Sequence, residues 1–460
     1  MKNSNLKWIL MLLLVCGLFE SCASDDDEVI DDNEATELSD ATTKLIVDWN
    51  ELWLELDRNA TGMRPNATAR SLAYIHLAAY ETSVYEMASY TSNEGRLDGL
   101  NINENERADL IDLNVALNAC YARVTDHFMY NIPDTMEALI GELENEKESE
   151  LSVDMSNALI QDSEAWGNYV AQRVIAYSLT DTEAEQQQLE PQPLSYEPPV
   201  GEGFWTYSAD QERALFPYWE SVRTFVISSE ETSTNPPPIT YSEITDSPYY
   251  TQMYETYELN NTAREEDNED LWIAEFWSDD VEGLMMSPPG HQFSIAGQLV
   301  KQFDLDYETT LALFLKLGFS LNDAAVSTWA DKYEYMVMRP NVYIEEFIDS
   351  EFETNLYRFI YWPNPSFPGY PSGHSTFASA AAGIFINEFG DSVDFIDRTH
   401  EAETEFRGSP RQFGSFSEMA EESAFSRVPF GVHMRMDCTE GYRLGYEISD
   451  AVNGFNLSSN

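Results

Sequence analysis

The sequence contains few basic residues. It has 25 lysines and arginines against 82 aspartates and glutamates, which gives a net charge of −57 over 460 residues. A polyanion of this kind repels the phosphate backbone, so nucleic-acid binding is excluded. An anionic membrane surface is disfavoured for the same reason. Any pattern that gathers several of the few cations is therefore informative.

Cysteines and long apolar runs are also scarce. The four cysteines are too few for a disulfide scaffold. Beyond the first 22 residues only Cys120 and Cys438 could pair, and the sequence leaves open whether they meet. No later segment reaches the roughly 18 uninterrupted apolar residues of a membrane span, so none is predicted there.

Residues 1–22 predict a lipoprotein signal peptide. Lys2 and Lys7 precede a short apolar run that leads to Cys22, the predicted site of lipid attachment. Residues 23–40 are acidic and poor in apolar side chains, which predicts a disordered tether. We therefore expect an exported protein that contacts the outer membrane only through its N-terminal lipid. The Asp-rich start of the tether resembles surface-export signals of some Gram-negative lipoproteins, which implies exposure at the cell surface.

Apolar residues recur at helical spacing through most of the chain, whereas strand-like alternation is scarce. This predicts an all-α fold of two helical bundles in one compact body, with an N-terminal half at 41–240 and a C-terminal half at 241–460. The proline- and aromatic-rich stretch 188–219 predicts a long ordered crossover loop. The predicted helical segments are 43–60, 67–88, 107–130, 134–148, 155–180, 245–277, 291–303, 307–339, 351–361, 374–388 and 437–453.

The stretch 369–385 reads GYPSGHSTFASAAAGIF, a tight turn followed by small and apolar residues. Gly373 would let backbone N–H groups approach a ligand closely, and the N-terminus of a helix attracts anions. Ser372 adds a hydroxyl, and His374 adds a group that can exchange a proton. Taken alone, a plain N-cap at Ser372 is the commoner explanation.

Two cations lie upstream in DKYEYMVMRP (331–340). Lys332 and Arg339 are seven residues apart, which on a helix places them on one face about 10 Å apart along the axis. Pro340 is expected to end that helix. The two side chains could converge on one anion, although two solvated surface charges are the alternative.

A third cation lies downstream in SRVPFGVHMRMDC (426–438). Ser426 and Pro429 favour a helix start there. His433 and Asp437 would fall one turn apart on it. A hydrogen bond from one ring nitrogen of His433 to Asp437 would leave the other nitrogen free as a ligand or a nucleophile. Arg427 completes a set of three cations suited to a tetrahedral oxyanion.

The three segments match the pattern K-x6-R-P, P-S-G-H and S-R-x5-H in order. With this pattern the sequence resembles the vanadium-dependent haloperoxidases, which share it with type 2 phosphatidic-acid phosphatases and class A bacterial acid phosphatases. The resemblance implies two four-helix bundles joined by long ordered crossover loops. The length of the chain and its lack of membrane helices favour the haloperoxidases, and a bacterial iodoperoxidase-like group in particular.

The resemblance also implies a vanadate cofactor and a role for each matched residue. His433 would bind vanadium through a ring nitrogen, and Asp437 would orient that ring. His374 and Lys332 would be catalytic, because His374 handles the proton of hydrogen peroxide and Lys332 polarises the bound peroxide. A halide would then be oxidised to hypohalous acid. The residues implied to hold the vanadate oxygens are Lys332, Arg339, Ser372, Gly373 and Arg427.

Further positions are implied outside the three motifs. In the segment 273–291, Asp279 or Asp280 would pair with an active-site arginine. His291 is either part of the site or a loop histidine after Pro-Pro-Gly, and the sequence does not decide. Trp329 and Phe367 would line the halide pocket, where an apolar wall favours iodide or bromide as large, weakly hydrated anions. Ordinary core packing is the alternative for both aromatic residues.

Three functions are therefore weighed. The first is a vanadate-dependent haloperoxidase that takes hydrogen peroxide and a halide. The second is an acid phosphatase that uses the same pocket, with His433 as the nucleophile and His374 as the acid for the leaving group. The third is a non-enzymatic lipoprotein that binds a surface partner. The sequence gives no oligomeric state for any of them.

Overall fold

The computed structural model describes residues 38–207, 213–265, 268–358 and 363–459. Their regular structure is almost entirely helical, which confirms the predicted all-α fold. Four single 3₁₀ turns and one small sheet complete it, the sheet pairing β1 (Phe395–Asp397) with β2 (Arg411–Phe413) in antiparallel register. The α-helices in these ranges are α1 (Ala41–Asn59), α2 (Asn66–Ser83), α3 (Leu113–Phe128), α4 (Asp134–Leu151), α5 (Asn157–Ser178), α6 (Thr182–Leu189), α7 (Pro248–Thr262), α8 (Glu269–Phe276), α9 (Pro288–Phe303), α10 (Tyr307–Tyr335), α11 (Pro340–Phe347), α12 (Gly373–Phe389), α13 (Phe416–Phe425) and α14 (Arg435–Gly454).

Helix α10 runs through the core. Its N-cap Asp306 accepts a hydrogen bond from the Thr309 N–H at 2.8 Å, and nearly every side chain from Thr310 to Lys332 is buried. A helix that is buried all round needs neighbours on every side, and α2, α12 and α14 all pack against it. Helices from before and after residue 240 therefore share this core. The predicted boundary at that residue stays a prediction.

Helices α12 and α14 lie unusually close together because two glycines face α12. A Cβ atom at Gly445 would lie 2.1 Å from the Ser379 hydroxyl, and one at Gly441 would lie 2.4 Å from the Ser372 carbonyl. Contacts this short exclude any larger residue at either position. The packing joins the first turns of both helices, where the Ser372 N–H donates to the carbonyl of Asp437 at 2.9 Å.

The connection between α6 and α7 is ordered in its described parts, as predicted. Residues 190–207 and 213–247 contain no α-helix. Three large aromatic side chains of this connection are nonetheless almost fully buried, namely Trp205, Phe216 and Trp219. The crossover has no α-helix in these parts, and the burial of these side chains holds it against the neighbouring helices.

Three predicted helices differ from the structure. The predicted segment 245–277 is two helices, α7 and α8, and 351–361 holds in its described part only the 3₁₀ turn Asn355–Arg358. The segment 307–339 ends at Tyr335, because Met336 adopts a left-handed backbone with φ 52°. Helices α6, α11 and α13 were not predicted. Apart from α6, these differences fall in the C-terminal half, where turns that build the site interrupt the helical spacing.

The predicted signal peptide, Cys22 and the tether up to residue 37 lie outside the described residues. The last tether residue, Asp40, belongs to the fold, because its carboxylate caps α1 by accepting from the Thr42 N–H at 2.8 Å. Cys120 and Cys438 are both buried free thiols, so they do not pair. No helix in the described ranges combines the length and the apolar character that a bilayer crossing requires.

Candidate active site

Residues from all three motifs meet at a cavity of about 150 Å³, and both halves of the chain contribute to its wall. One part of the wall is polar and contains the side chains of Arg339, His374, Arg427 and His433. The other part is made of prolines, aromatic residues and a leucine. The polar lining residues are Arg64, Asp279, Asp280, Glu282, Arg339, Asn364, Ser366, His374, Arg427 and His433, and the remainder are Pro65, Leu215, Pro288, Trp329, Pro363, Pro365, Phe367, Gly373 and Phe377.

His433 lies just before α14, and Asp437 lies in the first turn of that helix. One oxygen of Asp437 accepts from both the Met434 N–H and the His433 ring Nδ1–H, each at 3.1 Å. Burial, with the nearby cations led by Arg339, holds the pKa of His433 well below its usual range. The ring is therefore neutral and protonated at Nδ1, so Nε2 carries a lone pair.

The predicted helix start at Ser426 is wrong, although the contact between His433 and Asp437 forms. Ser426 is the C-cap of α13, and α14 begins only at Arg435. Pro429 lies in the non-helical connection between these two helices. The sequence placed both residues of the pair on one helix, whereas only Asp437 is helical.

Arg339 is the N-cap of α11, and Pro340 is its first residue. The prediction that Arg339 shares a helix face with Lys332, and that Pro340 ends that helix, is therefore wrong. The fixed φ of proline suits the first position of a helix as well as it disrupts a helix interior. The new direction turns the Arg339 guanidinium into the cavity wall, where it is almost fully buried.

The guanidinium of Arg339 is only partly satisfied. Its Nε donates to the Phe367 carbonyl at 2.9 Å. Nη1 donates to the Val432 carbonyl at 2.9 Å and lies 3.0 Å from His433 Nε2. Nη2 is buried and has no partner. Burial lowers the pKa of Arg339 to about 10, so the group stays charged at neutral pH.

Arg427 is held by the segment that follows α8. Its Nη2 donates to Asp280 at 2.6 Å, and its Nη1 donates to the carbonyls of Trp277 at 3.1 Å and Ser278 at 3.3 Å. Its Nε is buried without a partner. Of the two aspartates considered as an arginine partner, the structure therefore pairs Asp280 with Arg427.

Ser372, Gly373 and His374 open α12. Ser372 is the N-cap and accepts from the Ser375 N–H at 3.4 Å, which leaves its own hydroxyl hydrogen available. His374 Nε2–H donates to the Ser278 carbonyl at 2.9 Å. Burial, with Arg427 nearby, lowers the pKa of His374 to about 4. The ring is then neutral at pH 7, and Nδ1 is its basic nitrogen.

Lys332 contacts backbone carbonyls, and its role toward a bound peroxide stays a prediction. Its ammonium donates to three carbonyls of the loop before α12, those of Pro368 at 3.0 Å, Gly369 at 3.1 Å and Pro371 at 2.5 Å. These contacts use all three of its N–H donors. Neither Lys332 nor Ser372 lines the cavity. Lys332 lies beneath the loop, where it organises the turn that leads to Ser372 and Gly373.

Known proteins resemble this chain in sequence and in architecture. The profile of the VCPO second helical-bundle domain matches residues 312–458. The crystal structure of the first bacterial vanadium-dependent iodoperoxidase matches with a TM-score of 0.78 at 25% identity, covering 90% of this chain and 97% of that chain. Both matches support the predicted resemblance to the vanadium-dependent haloperoxidases, which are enzymes.

More distant relatives support the fold alone. A bacterial vanadium-dependent chloroperoxidase in its holo form matches with a TM-score of 0.64 at 15% identity, covering 86% of this chain and 92% of that chain. The apo form of a bacterial vanadium-dependent chloroperoxidase gives 0.64 at 16% identity, with 85% and 94% covered. The comparison with curated protein sequences gives no match.

The residues that line this cavity fit a vanadate ion. Arg339 Nη2 and Arg427 Nε are buried donors without partners, and both arginines line the cavity beside His433. Unpaired buried donors are rare and costly. A tetrahedral oxyanion would supply acceptors to both, together with charge-assisted hydrogen bonds. The neutral His433 offers Nε2 as the nitrogen ligand that such an ion requires.

Trp329 and Phe367 form the apolar wall next to the motif residues. Their ring centroids lie 4.8 Å apart, and the indole N–H of Trp329 donates to the Leu215 carbonyl at 3.3 Å. A Cβ atom at Gly373 would lie 3.3 Å from the Trp329 ring. Both side chains line the cavity while packing against the core, so the two roles weighed for them are compatible.

His291 is neither a loop residue nor part of the cavity wall. It lies in α9, fully buried. Its Nδ1 lies 2.9 Å and 3.0 Å from the two carboxylate oxygens of Asp279, and its Nε2 lies 2.8 Å from Asp397. His400 lies within 3.7 Å of Asp279 on the other side. Within the described residues, Asp279, His291 and His400 are the group whose spacing could hold a metal ion, and this group does not include His433.

Sequence reasoning missed several of these residues. Arg64 lines the cavity and donates to the carbonyls of Asp57 at 2.9 Å and Asp279 at 3.3 Å. Asp397, the last residue of β1, and His400, in the turn after it, join the cluster around His291 from more than 100 positions after their partners. No local spacing connects such residues. The scarcity of cations was the one signal that could have pointed to Arg64.

The stability of the protein should depend on pH through His291. Although burial alone would lower its pKa, the carboxylates of Asp279 and Asp397 raise it to about 10. The stabilising contribution of a raised pKa is fully present below the unfolded value of about 6.5 and is lost as pH rises through the folded value. We expect the free energy of unfolding of the wild type to fall between pH 7 and 10 relative to that of His291→Gln, which lacks this group. Urea denaturation across that range measures the difference, and a constant difference would contradict the prediction.

Proposed function

We propose that this chain is a vanadate-dependent haloperoxidase that uses hydrogen peroxide to oxidise iodide or bromide to hypohalous acid. The observation that carries the proposal is that unpartnered donors of Arg339 and Arg427 and the unprotonated Nε2 of His433 converge on one cavity. The similarity to a bacterial iodoperoxidase supports it. The net reaction, X⁻ + H₂O₂ + H⁺ → HOX + H₂O, consumes one proton.

The protein supplies binding and orientation. Arg339 Nη2 and Arg427 Nε would hold the oxygens of vanadate, while Asp437 fixes the His433 tautomer that presents Nε2 to the metal. Bound vanadate would supply Lewis-acid activation of peroxide without a change of its own oxidation state. Lys332 would support this arrangement through the Pro368–Pro371 loop.

His374 would handle the proton. Its Nε2–H is committed to the Ser278 carbonyl, so Nδ1 is the atom that can accept a proton from hydrogen peroxide and later release it. The low pKa of about 4 applies without a bound anion. A negative charge in the cavity favours the imidazolium and moves this pKa toward neutral pH.

The choice of halide would follow from the apolar wall. Trp329, Phe367 and Phe377 face the same cavity as the arginines. A halide that enters must lose water against these side chains, and that loss costs least for a large, weakly hydrated ion. We therefore favour iodide and bromide over chloride.

The test compares apo and vanadate-loaded protein with hydrogen peroxide and each halide, beside a generic phosphomonoester. We expect halide oxidation that requires vanadate and is fastest with iodide or bromide. Halide oxidation without vanadate would contradict the proposal. Hydrolysis of the phosphomonoester without any halide oxidation would instead favour the phosphatase, which would use the same His433 and His374.

Orthovanadate should also stabilise the folded protein. A ligand present at 100 times its Kd, which binds only the folded state, should raise Tm by about 2–5 °C in a protein of this size. Arg427→Met should abolish this shift because it removes a buried donor. The matched control Arg435→Met, from the same stretch but paired with Glu255 at the surface, should keep it. Equal shifts in both variants would show that orthovanadate binds elsewhere.

A further inference from the structure

The segment Trp277–Asp280 supports two active-site residues at once. The Ser278 carbonyl accepts from His374 Nε2 at 2.9 Å and from Arg427 Nη1 at 3.3 Å. The Trp277 carbonyl also accepts from Arg427 Nη1, and the Asp280 carboxylate accepts from Arg427 Nη2. A displacement of this short segment would therefore move the candidate proton carrier and one oxyanion-binding cation together.

The segment has a conformation that needs support. Asp279 adopts a left-handed backbone with φ 50°, which is unfavourable for a residue with a side chain. No glycine relieves it, because the residues around it are Trp277, Ser278, Asp280 and Val281. Such strain persists only where the surrounding contacts hold the backbone in place.

Those contacts converge on His291. The two carboxylate oxygens of Asp279 lie 2.9 Å and 3.0 Å from His291 Nδ1. The Trp277 ring stacks on the His291 ring, with centroids 4.5 Å apart and planes 20° apart. Asp397 holds the opposite ring nitrogen at 2.8 Å, and Thr399 in turn donates to Asp397 through its N–H at 2.9 Å.

Both ring nitrogens of His291 face carboxylates, so both carry hydrogen and the ring is an imidazolium. The charged and titratable groups that face it are Asp279 on the Trp277–Asp280 segment, Asp397 at the end of β1 and His400 in the following turn. Asp57 and Arg64 lie behind Asp279. The positive charge of the imidazolium compensates the two buried carboxylates that it touches.

A proton accounts for this cluster better than a metal ion. His400 Nε2 lies 3.1 Å from the Phe276 carbonyl, which requires a hydrogen on that nitrogen. Ligands of a tetrahedral zinc ion would be separated by roughly 3.4 Å, given bond lengths near 2.1 Å. The separations between His291 Nδ1 and Asp279 are 2.9 Å and 3.0 Å, which are hydrogen-bond distances.

We propose that His291 is a positioning residue, whose imidazolium, clamped between Asp279 and Asp397, holds the Trp277–Asp280 segment so that His374 and Arg427 keep their place around the oxyanion. This inference deepens the proposed function, because it concerns the same site. It needs only an oxyanion-binding site, and binding can be measured without any halide or peroxide.

The test uses His291→Gln with His76→Gln as the matched control. His76 is equally buried and stacks on Phe293 with centroids 4.8 Å apart, but it has no carboxylate partner and does not line the cavity. The affinity for orthovanadate, and for inorganic phosphate, is measured by calorimetry on each folded variant. Urea denaturation measures the stability lost in each.

We expect His291→Gln to bind orthovanadate about 10–100 times more weakly, the usual range for losing a residue that orients a ligand. His76→Gln should bind as the wild type does, even where it loses similar stability. Unchanged binding in His291→Gln, or equal weakening in both variants, would overturn the proposal. Weaker binding of both anions in His291→Gln with no halide oxidation in the wild type would support the positioning role while refuting the proposed function.

Asp397→Asn gives a second test in case His291→Gln does not fold. Without the second carboxylate the imidazolium should lose its proton more easily. The ratio of wild-type to variant affinity for orthovanadate should then grow as pH rises from 7 to 9, and a ratio that does not change with pH would overturn the proposal. Elemental analysis of the wild type decides the remaining alternative. One equivalent of zinc, lost in His291→Gln, would also overturn it.

Discussion

Replacing His433 with alanine is expected to abolish vanadate-dependent halide oxidation and to weaken orthovanadate binding by about 100-fold or more, which is at least the cost of disturbing a ligand's partner. The reason is that His433 Nε2 is the unprotonated nitrogen of a neutral ring whose Nδ1–H donates to Asp437 at 3.1 Å. The measurement is the initial rate of iodide oxidation after vanadate loading, beside calorimetry with orthovanadate.

The control for this variant is His127→Ala. His127 is half-buried on α3 and packs edge-on against Phe128, and it does not line the cavity. It should leave both the rate and the affinity unchanged. Full activity in His433→Ala would show that the vanadium ligand, or the whole reaction, lies elsewhere in the molecule.

Lys332→Met should have the largest effect on stability. The ammonium of Lys332 satisfies three buried carbonyls of the Pro368–Pro371 loop. Methionine has a similar shape but no donor, so these carbonyls would lose their partner. We expect the free energy of unfolding to fall by at least about 3 kcal/mol, since each of the three buried groups left unsatisfied costs about 1–3 kcal/mol.

The same substitution at Lys316 provides the control. Lys316 lies on the same helix and is half-buried, and burial lowers its pKa. It is not part of the contacts that hold the Pro368–Pro371 loop. We expect a loss below about 1 kcal/mol there. Urea denaturation of both apo variants separates the two residues. If Lys332→Met loses activity while its stability is unchanged, Lys332 acts only on the bound ion and the loop does not depend on it.

Much of the site could be predicted from the sequence because its residues fall into three short motifs. Arg339, Arg427 and His433 each occur within a local pattern with a chemical meaning, and a helix N-terminus next to Gly373 is readable from the turn before it. Basic residues are rare in this acidic chain, so several of them in neighbouring motifs indicated an anion-binding site. The structure brings Arg339, Arg427, His374 and His433 to one cavity.

The rest could not be predicted, because it depends on contacts between distant segments. Lys332 gives its donors to carbonyls some 36–39 residues away, which no side-chain pattern shows. His291 meets Asp397 across 106 residues. The ends of the helices near the site also differ from those that the spacing of apolar residues predicts. The left-handed backbone at Met336 ends α10, and a new helix begins at Pro340, so that Arg339 lies in the cavity wall. In each case tertiary packing, not local preference, sets the geometry.

The most direct test of the central claim is a crystal structure of the protein soaked with orthovanadate. We expect vanadium bonded to His433 Nε2, with oxygens accepting hydrogen bonds from Arg339 Nη2 and Arg427 Nε, which otherwise have no partner. Vanadium bound away from this cavity, or at the group of Asp279, His291 and His400 instead, would contradict the account.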